Sequence, residues 1–559
     1  MNWYDSHLLS VVTFLPLVGA LVVAFLPRGE HGQHKGIALF ASVVTALASL
    51  QLWFGFKPGG GWQFEQKTEW APAWGFSYHI GLDGVALLLF LLTTILSPIV
   101  ILSAWKFTEK SVKEFCIALL VLETAMLGTL AALDLVLFYV FWEAMLIPMY
   151  LLVGVWGSEK RIYAAVKFFL FTFVGSVLML LAIFYLWTES GTGGAARTFD
   201  YVTLMQQAQF SPQVQSWLFL AFALAFAIKV PVFPLHTWLP DAHTEAPAVG
   251  SVLLAGVMLK LGTFGFIRYA MPLFPQAALA AAPTIAALGI VGIVYGSLMC
   301  MAQKDLKRMI AYSSVAHLGF VMTGLAALNA EAVSGAVLQM VNHGISTGGL
   351  FLVIGYLYER THTRDLANYG GLAKVVPGLA AVFLVITLSS IGLPGTNGFI
   401  GEFLILLGTF TSKIAGGQLL AVIAATGVIL GAVYMLFMYQ RVMFGPITRE
   451  ENRSLEDLSF REWTTLVPLL FAIVAIGVFP SPLLDAVKAP VDEFVARVTK
   501  SGGLPIRAQA REGEVRPAGN PPGLAPGNPG DVPAAGANTV VRPFFPNRAP
   551  LAAPAQPNP

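Results

Sequence analysis

The chain has 559 residues, of which 56% are hydrophobic and only 11% charged, with a formal net charge of +2. Soluble domains carry roughly 25% charged residues, so the polar shell of a water-facing globule is missing. A net charge this small gives no footing for nucleic-acid binding.

The apolar residues fall in continuous runs of about twenty, long enough to cross a hydrocarbon core about 30 Å thick. Continuous runs predict helices, because a membrane barrel would show alternating strands. The start, MNWYDSH, lacks the basic flank of a cleaved signal, so the first run, 8–26, is read as a retained span. Further runs follow at 37–56, 84–105, 115–132, 133–156, 162–187 and 215–236. Beyond these lie 248–271, 283–302, 308–327, 331–358, 375–411, 418–440 and 463–481. The predicted fold is an all-α integral membrane protein of about fourteen transmembrane helices.

Alternate connections are basic, with Arg28 and Lys35, Lys106 to Lys113, Lys160 and Arg161, Lys304 to Arg308, Arg360 to Lys374, and Arg441 to Arg461. The opposite set holds little beyond Lys57, Lys67, Arg197 and Lys413. The positive-inside bias places the basic set in the cytoplasm of a bacterial cell. An even span count then puts both termini on the outer, periplasmic side of the inner membrane.

Two spans read as broken. Lys229-Val230-Pro231-Val232-Phe233-Pro234 loses helix donors at two prolines, and Gly392-Leu393-Pro394-Gly395-Thr396-Asn397-Gly398 separates two apolar halves. Broken helices are tolerated in a membrane where they line a polar cavity, and one in each half points to inverted repeats.

Ionisable residues inside spans cost roughly 2.5–3.5 kcal/mol each, so each needs a partner, a cavity or a function. The mid-span set is Glu123, Glu143, Lys229, Lys260, His317, His343 and Glu402, with Asp134 and Lys167 near span ends. Together they form an acid–base series able to take up and release protons; for any one of them the alternative is a structural ion pair. Arg268, near a span end, reads as a pairing or snorkelling group. Glu143 and Lys229 are 86 positions apart, and His317 and Glu402 are 85 apart. Each interval runs from a titratable mid-span residue to one beside a break, which suggests two five-helix repeats of opposite topology, spans 4–8 and 9–13. The implied divisions are 1–110 for helices 1–3, 111–272 and 273–446 for the repeats, and 447–499 for helix 14 and its flank. Residues 500–559 form a Pro/Gly/Ala-rich tail expected to be disordered.

Other signals carry less. Cys116 and Cys300 stand alone, so no metal, disulfide or iron–sulfur cluster is expected from them. GTGGAA at 191–196 follows a span rather than a strand and reads as a loop. There is no P-loop, which argues against an ATP-driven pump, and no haem or flavin signature. His236, Asp241 and His243 are read on a loop without the further ligands a metal site needs. Gly292 and Gly296 form a GxxxG pair suited to close helix packing.

The stretch KVPVFPLHTWLPDAHTEAPAVGSVLLAGVMLKLGTFG, with KDLKRMIAYSSVAHLGF and LPGTNGFIGEFLIL, resembles the proton-conducting membrane transporter family over roughly residues 80–445. That family includes antiporter-like subunits of respiratory complex I, subunits of multi-subunit cation/proton antiporters and membrane subunits of energy-converting hydrogenases. The resemblance implies fourteen helices, two inverted five-helix repeats, and discontinuous helices 7 and 12. It implies that Glu143 and Lys229 are the coupled pair of a first half-channel, Lys260 the central relay lysine, His317 a relay histidine and Glu402 the terminal residue. Glu123, Asp134 and His343 are possible assistants. A terminal glutamate points to the M-type branch of the complex I subunits, which couple NADH oxidation and quinone reduction to proton pumping. NAD, FMN, iron–sulfur clusters and quinone are then expected in other subunits and no cofactor in this chain. The implied partners are neighbouring antiporter-like subunits, other membrane subunits, protons and the lipid bilayer. Antiporter and hydrogenase-type complexes use the same relay and stay open as alternatives, as does an inert scaffold. The Pro-rich tail departs from the family pattern, which ends soon after span fourteen.

Overall fold

The computed structural model describes residues 3–59, 61–107, 109–192, 196–207, 210–414 and 416–501. The tail expected to be disordered lies outside them, as does part of the GTGGAA loop. Two apolar helices come first, α1 (Trp3–Phe25) and α2 (His31–Gly55), followed by a two-stranded antiparallel hairpin, β1 (Gln63–Ala71) and β2 (Phe76–Leu82). Next are α3 (Gly84–Ser103), α4 (Val112–Ala131), α5 (Leu135–Ala144), α6 (Leu146–Trp156), α7 (Arg161–Ser190) and the short α8 (Tyr201–Gln207). The broken region comprises α9 (Pro212–Lys229) and α10 (Trp238–Glu245). Helices α11 (Ala248–Leu253), α12 (Leu259–Gly265) and α13 (Met271–Leu273) form one continuous run, joined by π-helical turns at Leu254–Met258 and Phe266–Ala270. Then come α14 (Pro275–Met301), α15 (Leu306–Ala326), α16 (Ala330–Thr361), α17 (Pro377–Ser390), α18 (Asn397–Thr411), α19 (Gly417–Met443), α20 (Phe460–Val478) and α21 (Ser481–Ser501).

Among the described residues, twelve helical segments are long and apolar enough to cross a membrane. The predicted spans 215–236 and 375–411 are the two that are interrupted. The all-helical, multi-span expectation therefore holds, and the count of fourteen treats each interrupted pair as one crossing.

Local chemistry sets the helix limits. Asp83, Asp134, Asp305 and Asn329 cap α3, α5, α15 and α16 by accepting backbone N–H bonds. Helix α9 ends at Lys229 because Pro231 and Pro234 cannot donate. The Trp238 indole N–H donates to the Ile228 carbonyl at 2.9 Å, satisfying a group that the break would strand. At the second break Gly392 and Gly395 take φ of 74° and 89°, which side-chain-bearing residues rarely adopt. A milder interruption separates α5 from α6, where Pro148 removes the donor that would bond the carbonyl one turn earlier.

Helices α14 and α15 approach closely. A Cβ added to Gly296 would lie 2.9 Å from the Ala316 nitrogen, and one on Gly319 would lie 2.6 Å from the Gly289 carbonyl. The GxxxG pair thus serves packing, as expected.

Two elements go beyond the sequence reading. The β1–β2 hairpin lay in a stretch read as a connection. Helix α21 occupies what was read as a flank. It packs on α3, α14 and α16 through Val487, Val491, Phe494 and Val498. Their helical spacing was visible in the sequence, but the six charged residues of the helix lowered the mean hydropathy below that of a span.

Candidate functional site

The interior places the predicted ionisable residues in two groups. The first is Glu143 with Lys229. Glu143 stands at the end of α5, half-buried, with Tyr139 and Ser176 beside its carboxyl. Lys229 ends α9 and is fully buried. Its ammonium lies over the rings of Trp142 and Phe168, at 5.2 and 5.8 Å from their centroids. Neither the Lys229 ammonium nor Glu143 Oε1 has a hydrogen-bond partner. The two are electrostatic neighbours, yet no ion pair within 4.0 Å joins them. An aromatic cage of this kind holds a cation without a carboxylate contact.

The second group is a contact series across the middle of the protein. The Lys260 ammonium donates to the Ala255 carbonyl, inside the first π turn, and lies 2.6 Å from His343 Nδ1. The π turn alters the regular bonding ladder beside Lys260, as such turns do at functional sites. The His343 and His317 rings meet edge to face, with centroids 5.6 Å apart. His317 Nδ1 lies 3.1 Å from Glu402 Oε1, and Gln339 Nε2 donates to the same oxygen at 3.1 Å. Glu402 follows the second break, whose polar groups are held in place by Asn342, Asn397, Ser346 and Ser389. Asn342 Nδ2 donates to the Asn397 carbonyl at 2.7 Å, and Ser389 Oγ to Asn397 Oδ1 at 2.5 Å.

The remaining candidates have other placements. Asp134 caps α5, accepting from the backbone N–H of Val136, Leu137 and Ser77 and from the Ser77 hydroxyl. Its position is that of a folding residue at a helix start. Glu123 is buried in α4 facing Ser97, with neither carboxyl oxygen partnered; no hydrogen bond or ion pair joins it to Glu143. Lys167 pairs with Asp241 at 2.7 Å, and Arg268 pairs with Asp83 at 2.7 Å under the ring of Trp62. Cys116 and Cys300 are buried and free. Among the described residues no group of three metal-ligating side chains converges.

The sequence reading weighed His243 only as a metal ligand and Lys307 only as one of the basic loop residues, and neither as part of the ionisable series. His243 lies on α10, where a loop was expected. It is fully buried, stacks on Phe351 at 4.8 Å and has no hydrogen-bond partner on either nitrogen. Its electrostatic neighbours are Lys307 and Lys260. Lys307 is buried at the start of α15 and donates to the Ala246 carbonyl. It lines a cavity of about 230 Å³ shared with Trp156, Ser158 and Glu359. A larger cavity of about 660 Å³ shares Ser158, Tyr358 and Arg364 with it and is lined by Lys160, Asp241, Lys304 and Arg308. Both open among the loops of the basic set.

At the opposite end the hairpin carries its own charge cluster. His79 Nδ1 lies 2.5 Å from Asp200 Oδ2 and its Nε2 lies 2.8 Å from Glu65, while Lys67 reaches Asp200 at 3.1 Å. Burial pushes the Asp200 carboxyl up, but hydrogen bonds from His79 and Thr203 outweigh it and hold the group below the usual carboxylate range. A carboxyl depressed on folding stabilises the fold above its unfolded pKa and loses that contribution as pH falls through the folded value. The hairpin is therefore expected to resist limited proteolysis through neutral and mildly acid pH and to yield only below about pH 4. Asp200→Asn should expose it already at neutral pH and flatten the profile; unchanged resistance would show that this cluster does not hold the hairpin.

Residues 132–436 match a family model described as NADH:quinone oxidoreductase/Mrp antiporter, transmembrane. The chain is 46% identical to NADH-quinone oxidoreductase subunit M of Rhodobacter capsulatus over 516 residues, covering 90% of this chain and 99% of the relative. It is 41% identical to the subunit M of Rickettsia prowazekii, over 88% of this chain and 99% of that one. Among solved structures, it is similar to a chain of respiratory complex I from Thermus thermophilus with bound NADH. There the TM-score is 0.79 and the identity 33%, over 88% of this chain and 99% of that one. An archaeal membrane-bound sulfane sulfur reductase shares the fold, at TM-score 0.74 and 23% identity, over 85% of this chain and 76% of that one.

Proposed function

The chain belongs to the NADH:quinone oxidoreductase/Mrp antiporter transmembrane family, in its subunit M branch, and from that premise we propose that it moves protons across the membrane as part of a proton-translocating NADH:quinone oxidoreductase. NAD, FMN, iron–sulfur clusters and quinone belong to other subunits in this reading, and neighbouring antiporter-like subunits are its partners. The observation that carries it is the buried series Lys260, His343, His317 and Glu402, each in contact with the next. A run of groups that both accept and donate protons, closed to bulk water, has little structural reason to exist in a lipid-immersed protein.

Protons enter from the basic, cytoplasmic side through the cavity that reaches Lys307, and pass by His243 toward Lys260. Lys260 hands its proton to His343 Nδ1 and takes another. His343 passes the proton to His317, and His317 to Glu402. Gln339, which donates to Glu402, holds that carboxyl toward the ring. From Glu402 the proton leaves on the outer side. The Glu143–Lys229 pair controls the cycle: quinone reduction elsewhere alters Glu143, and the shift in field on Lys229 is felt at Lys260. The two interrupted spans supply the polar backbone for these sites and correspond to the broken helices of two inverted repeats.

Glu402→Gln tests the reading. Gln keeps the shape and still bonds Gln339 and His317, but cannot carry the proton. In vesicles holding the assembled complex, NADH-driven acidification should fall at least about tenfold, with Glu402→Asp retaining much more. Full pumping by Glu402→Gln would remove the terminal step.

A further inference from the structure

Away from the relay, the first turns of α2 and α4 meet at a separate cavity of about 350 Å³ on the basic side of the membrane. Arg28, His31, His34, Ser111, Lys113 and Glu114 line it. Neither helix start is capped by a side chain: Glu30 before α2 and Ser111 before α4 make no capping bond. Each uncapped start leaves up to four backbone N–H groups without an intrahelical acceptor and carries the positive end of a helix dipole. Two such ends converging is a setting for an anion.

His34 gives the independent indication. It is completely buried at this cavity, and neither ring nitrogen has a hydrogen-bond partner. A buried polar ring without a partner is costly unless something outside the chain supplies one. Arg28 and Lys113 add positive charge. Glu114, the single carboxylate in the lining, is tied to Arg28 at 3.2 Å. Gly29 and Gly32 leave open space on the approach, with nothing within 4 Å of where a Cβ would stand. Phe25, at the end of α1 just before Arg28, is 88% exposed and Phe40, on α2, is 70% exposed, so the two helices that lead away from the cavity carry bare apolar side chains.

We propose that this cavity binds the phosphate of an anionic phospholipid, with the phosphate between the two helix starts and the acyl chains along Phe25 and Phe40. The apolar flank selects a lipid over a free anion. His34, Arg28 and Lys113 donate to the phosphate oxygens, and charge-assisted bonds of this kind are the strong ones.

The test uses the assembled complex, delipidated and returned to nanodiscs of phosphatidylcholine with or without phosphatidylglycerol, with lipid retained after re-extraction measured by mass spectrometry. The parent should retain phosphatidylglycerol, and the Arg28→Ala, His34→Ala, Lys113→Ala variant about tenfold less. Glu114→Gln, which removes the opposing carboxylate without loss of volume, should raise retention about threefold. Because that change leaves the fold intact, the site stays testable if the alanine variant fails to assemble. Equal retention in all three proteins overturns the proposal, as does equal retention of phosphatidylcholine. Displacement of the lipid by inorganic phosphate at matched concentration would identify a free anion and overturn the lipid assignment. None of these readouts depends on proton pumping, so the relay and the lipid site stand or fall separately.

Discussion

Lys260→Met is expected to leave the complex assembled while NADH-linked proton pumping falls on the order of 10²-fold. Methionine matches the lysine stem in length and carries no charge. Removing the ammonium strands the Ala255 carbonyl and His343 Nδ1, at about 1–3 kcal/mol for each buried unpaired group. Against that, a buried cation no longer has to be held out of water, and replacing such charges by apolar side chains is often neutral. Stability and function therefore separate at this position. Lys260→Arg sharpens the test, because arginine keeps the charge but does not release a proton. A structural cation would be rescued by arginine; a relay lysine would not. Native gels report assembly, and vesicle acidification with NADH oxidation reports function. Normal pumping by the assembled Lys260→Met complex would end the relay reading.

How much of this was legible beforehand depended on the kind of signal. Span positions follow from apolar run length, and the breaks at Pro231 and Gly392 follow from backbone chemistry that composition exposes directly. Lys260 and Glu402 stood out because charge in an apolar run is costly. Depth along a helix was legible; the identity of the facing neighbour was not. Glu123 and Glu143 look alike as mid-span carboxylates, yet one faces Ser97 and the other lies beside Lys229. Asp134 looked like an acid near Glu143, and only the fold shows its oxygens committed to the start of α5. His243 was hidden by its surroundings. Three prolines and several polar residues precede it, which read as a loop, and burial came from α7 and α15 packing on α10 and from the Phe351 ring of α16. The hairpin escaped notice because β1 is largely exposed and carries no clear alternation.

Glu143→Gln and Lys229→Met should each lower NADH oxidation and proton pumping together, by at least about tenfold. The present geometry holds the pair apart, with the lysine resting on Trp142 and Phe168 and no contact within 4.0 Å to the carboxylate. Closing such a pair is worth about 4 kcal/mol at 4 Å and an effective dielectric of 20. Driving one charge against 100 mV requires about 2.3 kcal/mol. Opening or closing one pair is therefore of the size needed to push a proton uphill. Glutamine keeps the hydrogen-bonding shape beside Tyr139 and Ser176 but cannot change charge, so the switch would be lost while the packing remains. For a pair that acts as one unit, the double variant should be no worse than either single one. If the losses instead multiply, the two side chains work independently and the switch is not a pair. If oxidation continues while pumping stops, Glu143 conducts protons without controlling quinone reduction, and the coupling step lies elsewhere. If both activities stay normal in an assembled complex, the pair is structural and a scaffold role replaces the switch.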